Sequence, residues 1–402
     1  LPIGDQVFVL HTRFSPETKK ADNMDLVVLE DKNRDGIANG PPKVLIENIS
    51  NSKYLQERGT DHATNGIQMG IDGWIYIAVG DFGFHNATGR DGTKLTQLGG
   101  GIVRVRPDGT EMEVYNHGMR NIYDVAIDPF MNIFTRGNTS DGGGWNVRFS
   151  HQIQSGEYGY PILFKNFTEE IIPALIDVGG GSGTGALYMD DPRWPEKYNH
   201  VPLMSDWGRN YLYIHRVKDS GASFTQSEAE FIQLPQITDV DIDAAGAMYL
   251  SSWDGAGYSG SKDKGYVVRV VPKNFEYTPF PKVKEAKDKQ LLEALGSLSA
   301  KARLSAQYEL LQRPHDNTAP EVLKMAMNDQ LPLEVRIASL FTYAQMSGKG
   351  GLDNLVQLSK DPKLQEFALK ALSDRVEWVK AVPLTPFLEG IKSPSDWVKA
   401  AA

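Results

Sequence analysis

The sequence predicts a mainly β chain: a β-propeller of the six-bladed type with about five blades present, followed by an all-α domain of HEAT- or armadillo-like repeats. Three observations predict this. An apolar pair two residues apart, a turn, and then an apolar residue followed by an aromatic recur at Ile67, Met69, Ile75, Tyr76, at Val125, Ile127, Ile133, Phe134 and at Val240, Ile242, Met248, Tyr249. These units are separated by 58 residues (67 to 125) and by 115 (125 to 240), close to twice 58. Short strands at a fixed period are the mark of a propeller. After about Val271 the glycine and aromatic punctuation stops and helical spacing takes over.

Each element follows from local pattern. Val7 to Leu10 and Leu26 to Leu29 form a first, partial unit. Thr60 to Asp81 is the second, with apolar residues alternating at period two and Asp72-Gly73 closing a hairpin. The third starts at Arg120-Asn121. The doubled interval requires a fourth between Ile133 and Val240, which Pro202 to Ile214 supplies, and Ala245-Gly246 closes the hairpin of the fifth. Either the ring is five-bladed, or blades preceding Leu1 are missing; the start at Leu1 reads as a processed or trimmed piece. Pro279 and Pro281 mark the joint, so the propeller is expected over 1–275 and the helical repeats over 276–402. There, Pro332 and Pro362 each open an amphipathic run with alanine six residues on (Ala338, Ala368), and Pro320 begins a shorter one. Scaffolding or protein docking is the expected job of these repeats.

Composition narrows the function. A net charge of −9 without long charged blocks argues against a nucleic-acid surface, and small polar ligands fit better. There are no cysteines, which removes disulfides, thiolate metal sites, cysteine nucleophiles and covalently attached haem from this chain. No stretch approaches the roughly 18 apolar residues of a membrane span.

Several residues are candidates for chemistry. His62 and Asp81 lie at the two ends of a strand pair, and an imidazole beside a carboxylate is suited to taking a proton from a hydroxyl. The alternative is two loop-capping residues at a blade mouth. Arg120, opening an inner strand, is expected to point at the channel and to pair with an anionic ligand or with blade carbonyls. Asp31, Asn33 and Asp35, followed by Gly36, alternate oxygen side chains before a sharp turn, the first half of a calcium loop, although Pro42 stands where a bidentate glutamate belongs. An Asx-rich turn without metal is the competing reading. In the glycine-rich loop 138–146, Asp141 offers an oxygen donor and Trp145 a surface for stacking a sugar or planar cofactor. Gly99-Gly100-Gly101 reads as close strand packing.

Thr60 to Asp81, Arg120-Asn121 with Asp128-Pro129, Gly156 to Pro161, and Ile237 to Val240 together resemble the soluble aldose (glucose/sorbosone) dehydrogenase family. The resemblance spans roughly residues 20 to 271. Its members are six-bladed propellers using pyrroloquinoline quinone (PQQ) and calcium. The chain is most similar to a branch of membrane-bound dehydrogenase domain proteins, in which HEAT repeats follow and a c-type haem often ends the chain. The resemblance implies oxidation of a sugar or polyol hydroxyl in a periplasmic or secreted protein. His62 would be the base and Asp81 its partner, Arg120 and Asn121 would contact the quinone, and calcium would sit around Asn138 to Asp141 near Tyr158. Electrons would pass to an external acceptor such as a cytochrome c. Two arginines that clamp the cofactor in that family correspond to Gln236 and Thr238, and its lysine falls around Trp207, with Arg209 the nearest cation. Charge-assisted bonds are worth roughly 1.5–3 kcal/mol each, so losing two costs about 10²- to 10⁴-fold in affinity. A cofactor-free carbohydrate- or protein-binding scaffold, and a propeller lyase or hydrolase, are the alternatives.

Overall fold

The computed structural model describes residues 1–402 apart from 142–144 and 259. Five antiparallel sheets form the blades of a five-bladed β-propeller. Blade one holds Pro2–Ile3, Gln6–Phe14, Ala21–Glu30 and Lys43–Asn51, with Ala87–Gly89 and Lys94–Leu95 added at its outer edge. Those last two strands come from the excursion between the second and third strands of blade two, and they cover an edge that would otherwise present unpaired amides. Blade two is Thr64–Met69, Ile75–Val79, Gly101–Val105 and Glu113–His117; blade three is Ala126–Ile127, Ile133–Asn138, Asn146–Gln152 and Ile176–Gly180. Blade four is Gly183–Met189, Val201–Asp206, Tyr211–Ser220 and Ser223–Gln233, and blade five has Ile237–Ile242, Met248–Ser252 and Tyr266–Val270. The expected repeat units all fall on strand pairs of these sheets, and the expected count of about five blades holds, in a ring of the five-bladed and not the six-bladed type.

The strands form where apolar residues alternate or run together, because a blade packed between two neighbours is buried on both faces. Ile75–Val79 and Gly101–Val105 are buried at every position. Phe8, Leu26, Ile46, Ile77 and Val103 pack blade one on blade two. The inner strands surround a channel of about 550 Å³ lined by polar groups from successive blades, among them Asn65, Gln68, Tyr123, Asp124, Thr238 and Asp239.

Blades three and four are joined by a buried polar network. Arg136 bonds Asp206 at 3.1 Å and Glu228 at 2.6 Å, and its Nη1 donates to His215 Nε2 at 3.0 Å. His215 donates from Nδ1 to Gln226 and stacks on Phe149 with ring centroids 3.7 Å apart. Burial, and then the Arg136 charge, lower the His215 pKa to about 3. A depressed folded pKa means stability that is complete above the free-histidine range and drains as pH falls toward the folded value. At pH 5 this amounts to about 2 kcal/mol. His215→Gln is therefore expected to shrink the difference in unfolding free energy between pH 7 and pH 5 by about that much. An unchanged difference in paired urea titrations would show that the ring is not held neutral.

From Val283 the chain is helical. Consecutive helices pack in pairs: Asp288–Leu295 with Ala300–Leu311, Thr318–Met327 with Leu333–Ser347, and Leu352–Leu358 with Gln365–Leu372. Ser299 caps its helix by accepting from the Ala302 amide, and Pro332 occupies the N-cap position of the longest one. Pro320 lies inside the first turn of its helix, where a missing N–H costs nothing. No helix among the described residues is long and apolar enough to cross a membrane.

The helical segment lies across the propeller's base and touches every blade. Lys284 pairs with Asp5 at 2.7 Å in blade one, and Gln307 donates to the Ile71 carbonyl in blade two. Phe367 meets Phe130 of blade three with ring centroids 6.4 Å apart. Arg303 pairs with Asp190 at the base of blade four at 2.5 Å, and Lys301 with Asp241 of blade five at 3.0 Å. One apolar core runs from Trp74, Tyr76 and Ile133 into Leu291, Leu340, Phe341 and Leu372. One face of this segment is thus already used within the molecule.

Candidate functional site

The end of the channel away from the helices carries the starts of inner strands and the ends of the strands beside them. A short helix, Ser52–Arg58, capped by Asn51, leads into a single turn at Thr60–His62 and then into the inner strand of blade two. The Ala63 carbonyl accepts from Gly80 at 2.7 Å and the His62 carbonyl from Phe82 at 2.9 Å, which ties the His62 turn to the segment carrying Asp81. Gly80 makes this approach possible: a Cβ there would stand 2.5 Å from the His62 carbonyl oxygen and 2.8 Å from Asn121 Oδ1.

His62 Nδ1 and Asp81 Oδ1 are 2.5 Å apart. A carboxylate oxygen accepts, so the contact fits the tautomer of the neutral ring with its proton on Nδ1 and its lone pair on Nε2. The His62 side chain is 19% exposed and that of Asp81 8%, so a ligand can reach the base but not the group that holds it. Tyr160 donates its hydroxyl to the other Asp81 oxygen at 3.5 Å, and the Asp81 carbonyl accepts from Gly99.

Arg120 and Asn121 are anchored beside them. The Arg120 amide donates to the Gly99 carbonyl at 2.9 Å, and its backbone passes so close to Gly100 that a Cβ there would lie 2.2 Å from the Arg120 oxygen. Arg120 Nη1 donates to Asn138 Oδ1 at 2.9 Å. Its Nε, together with Asn121 Oδ1, is buried and has no partner among the described residues. A buried polar atom without a partner costs about 1–3 kcal/mol, so each of these atoms calls for a partner such as an ordered water or a ligand group.

Asp61, next to His62 in the chain, accepts from the Tyr258 hydroxyl at 3.1 Å. Burial, then the charge of Asp61, pushes the Tyr123 phenol up. Trp207 and Trp253 follow corresponding strands of blades four and five, with ring centroids 5.8 Å apart at 85°. Deeper in the channel, burial raises both Asp124 and Asp239, the latter to about 6.

The remaining sequence candidates are elsewhere or otherwise engaged. The loop of Asp31, Asn33 and Asp35 sits at the base end of blade one, where Asp31 donates its amide to the Asp5 carbonyl. Its carboxylates serve its own turn: Asp31 accepts from the amides of Asp35 and Gly36, and Asp35 from Ile37 and from the Asn33 side chain. These bonds are those of an Asx turn, and the loop lies at the opposite end of the propeller from Asp141. Asp141 is paired with Arg148 at 2.7 Å, and that bond holds its carboxyl at about 2. Trp145 is 59% exposed, and the glycines before it lie outside the described residues. Arg209 donates Nε to the Gly180 carbonyl at 2.7 Å and Nη2 to that of Val178, so its guanidinium is occupied. Gln236 accepts from the Gly257 amide and Thr238 bonds Ser251. Among the described residues no group of three or more His, Asp and Glu side chains is placed to hold a metal.

Reading for repeats of the apolar pattern missed the aromatic residues. The signal for two of them was present, since Ser205-Asp206-Trp207 and Ser251-Ser252-Trp253 are the same kind of ending on two successive blades. Nothing local marks Tyr123 or Tyr258, which Asp61 brings together from positions far apart in the chain.

The family model described as DUF7133, a domain of unknown function, matches residues 21–235, over half of the chain. No curated protein matches in sequence. Among solved structures, the chain is similar to a Thermus thermophilus protein assigned as an oxidoreductase (glucose dehydrogenase), with 17% identity, 66% of this chain and 78% of that one covered, and a TM-score of 0.51. It is also similar to the PQQ-bound aldose sugar dehydrogenase of Streptomyces coelicolor, at 18% identity over 66% and 75% of the two chains, with a TM-score of 0.48. At these identities the shared feature is the propeller fold.

Proposed function

We propose, for a chain that belongs to the DUF7133 family, that the channel mouth binds a carbohydrate or polyol and that His62, held by Asp81, takes the proton from one of its hydroxyls. The observation that carries this reading is the 2.5 Å His62–Asp81 pair set beside the unpartnered Arg120 Nε and Asn121 Oδ1. Arg120, tied to the Asp81 segment through the Gly99 carbonyl and amide, is the cation beside that hydroxyl. The same cation then steadies the alkoxide as it forms. Asp81 keeps the imidazole oriented and stabilises the imidazolium.

Oxidation of that hydroxyl to a carbonyl is the overall reaction suggested by the fold it shares with an assigned glucose dehydrogenase. It requires an acceptor for two electrons. PQQ is a flat quinone carrying three carboxylates, and the mouth offers it little: Gln236 and Thr238 are neutral, Arg209 is tied to backbone carbonyls, and Asp141 is neutralised by Arg148. Apart from Arg120 and Asn121, the residues at the family's cofactor positions do not fit the quinone's carboxylates or its calcium. The proton step is accordingly the part assigned to this chain, and the neutral residues favour, as a second reading, a carbohydrate-binding module without redox chemistry. We further propose HEAT-like pairing of the helices, a domain joint near residue 275, and export from the cytoplasm.

The test is a screen of neutral sugars and polyols, with an artificial electron acceptor, with and without added PQQ and calcium, reading products by mass. Loss of two hydrogens supports oxidation, and saturable binding without conversion supports the binding module. Absence of binding to every sugar would overturn both.

A further inference from the structure

We infer that Trp207, Trp253 and Tyr258 form a stacking wall for the apolar face of an uncharged pyranose ring. This deepens the reading above and rests on it for the carbohydrate class alone. Trp207 stands edge-on to both partners, at 85° to Trp253 and at 87° to Tyr258, with centroid separations of 5.8 and 6.4 Å. Trp253 is 37% and Tyr258 78% exposed, so apolar ring surface faces outward at the mouth instead of filling the core.

The polar atoms beside the wall select the ligand. Trp207 Nε1 is buried with no partner among the described residues, and an indole nitrogen can only donate. It calls for a ligand oxygen, and it disfavours an ammonium ion, which has no lone pair to offer. Asp61 accepts from the Tyr258 phenol at 3.1 Å and so links the wall to His62, its neighbour in the chain. A carboxylate at that place repels uronates and other anions, and Arg209, the cation closest in sequence to Trp207, is occupied by the Gly180 and Val178 carbonyls. Aromatic faces, an indole donor and a carboxylate acceptor match a ring with C–H bonds on its face and hydroxyls on its rim.

The wall is tested by following tryptophan emission during titration with cellohexaose, mannohexaose, xylohexaose and hexagalacturonate. A saturable change with at least one neutral hexasaccharide and none with the uronate is expected. Trp253→Leu and Tyr258→Ala, both at exposed positions, should each weaken the response by about fivefold to tenfold. Trp207→Phe, which keeps the ring and loses the N–H, should weaken it by about as much. No response to any neutral sugar, equal response to the uronate, or unchanged affinity in all three variants would overturn the wall. Turnover with unaltered KM in the three variants would leave the His62 reading standing without it. Sugar binding lost in the variants, in a protein that never converts the sugar, would do the reverse.

Discussion

His62→Ala is expected to lower turnover by about 10²- to 10⁴-fold, the usual contribution of a positioned base. The sugar identified by product analysis provides the assay. Because the His62 side chain is partly exposed and its carbonyl does the structural bonding to Phe82, removing the imidazole should leave the melting temperature close to the parent's. Added imidazole should restore part of the lost rate in His62→Ala, a response that a merely structural histidine would not give. Asp81→Asn provides the second arm. An amide at that place no longer obliges Nδ1 to carry the proton, so a large share of the histidines are left with a protonated Nε2 that cannot act as a base. Its loss should fall mainly on kcat, with KM little changed. Full turnover in His62→Ala would remove the residue from the mechanism.

Arg303→Ala is expected to destabilise the fold by about 3–5 kcal/mol, the range for breaking a buried ion pair from one side. Arg303 and Asp190 are 3% and 2% exposed, and their contact is 2.5 Å long. Burial pushes the Asp190 carboxyl up and Arg303 opposes it, so without the guanidinium the buried acid keeps only the half-exposed His200 ring, 3.1 Å from its Oδ1, as a partner. The substitution also frees the Ser297 carbonyl, which accepts from Arg303 Nη1. Urea unfolding would give the magnitude. Changing both partners, Arg303→Met with Asp190→Leu, should recover much of the loss, because a paired apolar replacement leaves no stranded charge. A single unfolding transition is expected in each protein, since the core is continuous from Trp74 and Ile133 to Leu340 and Leu372. A loss under about 1 kcal/mol, or separate transitions for propeller and helices, would contradict the account of the base as one packed interface.

Much of the propeller was legible in the chain because blade strands obey short-range rules. The alternation at Ile67 and Met69 and the apolar run from Ile75 recur in blades three and five, and Gly73 and Gly246 take the positive φ that hairpin turns of this kind require. The His62 and Asp81 pairing was legible for the same reason: a hairpin returns the chain beside its start, so a separation of nineteen positions becomes a contact. The loop from Asp31 to Gly36 could be read two ways because oxygen side chains and a glycine suit a cation and an Asx turn equally well. Only the direction of the amides of Asp35, Gly36 and Ile37 decided between them.

Local pattern was enough to specify the blade units, the start of the helical segment, the absence of cysteine chemistry and the residue types at the mouth. Long-range packing set how many blades surround the channel, which charges are free, and what faces His62. Those outcomes depend on partners distant in the chain. Arg209 meets the Val178 and Gly180 carbonyls, Asp141 meets Arg148, and Tyr258 reaches Asp61 across 197 residues. Strand formation follows from neighbours two residues away, whereas a charge or an aromatic ring acquires its role only when closure of the ring brings its counterpart into range.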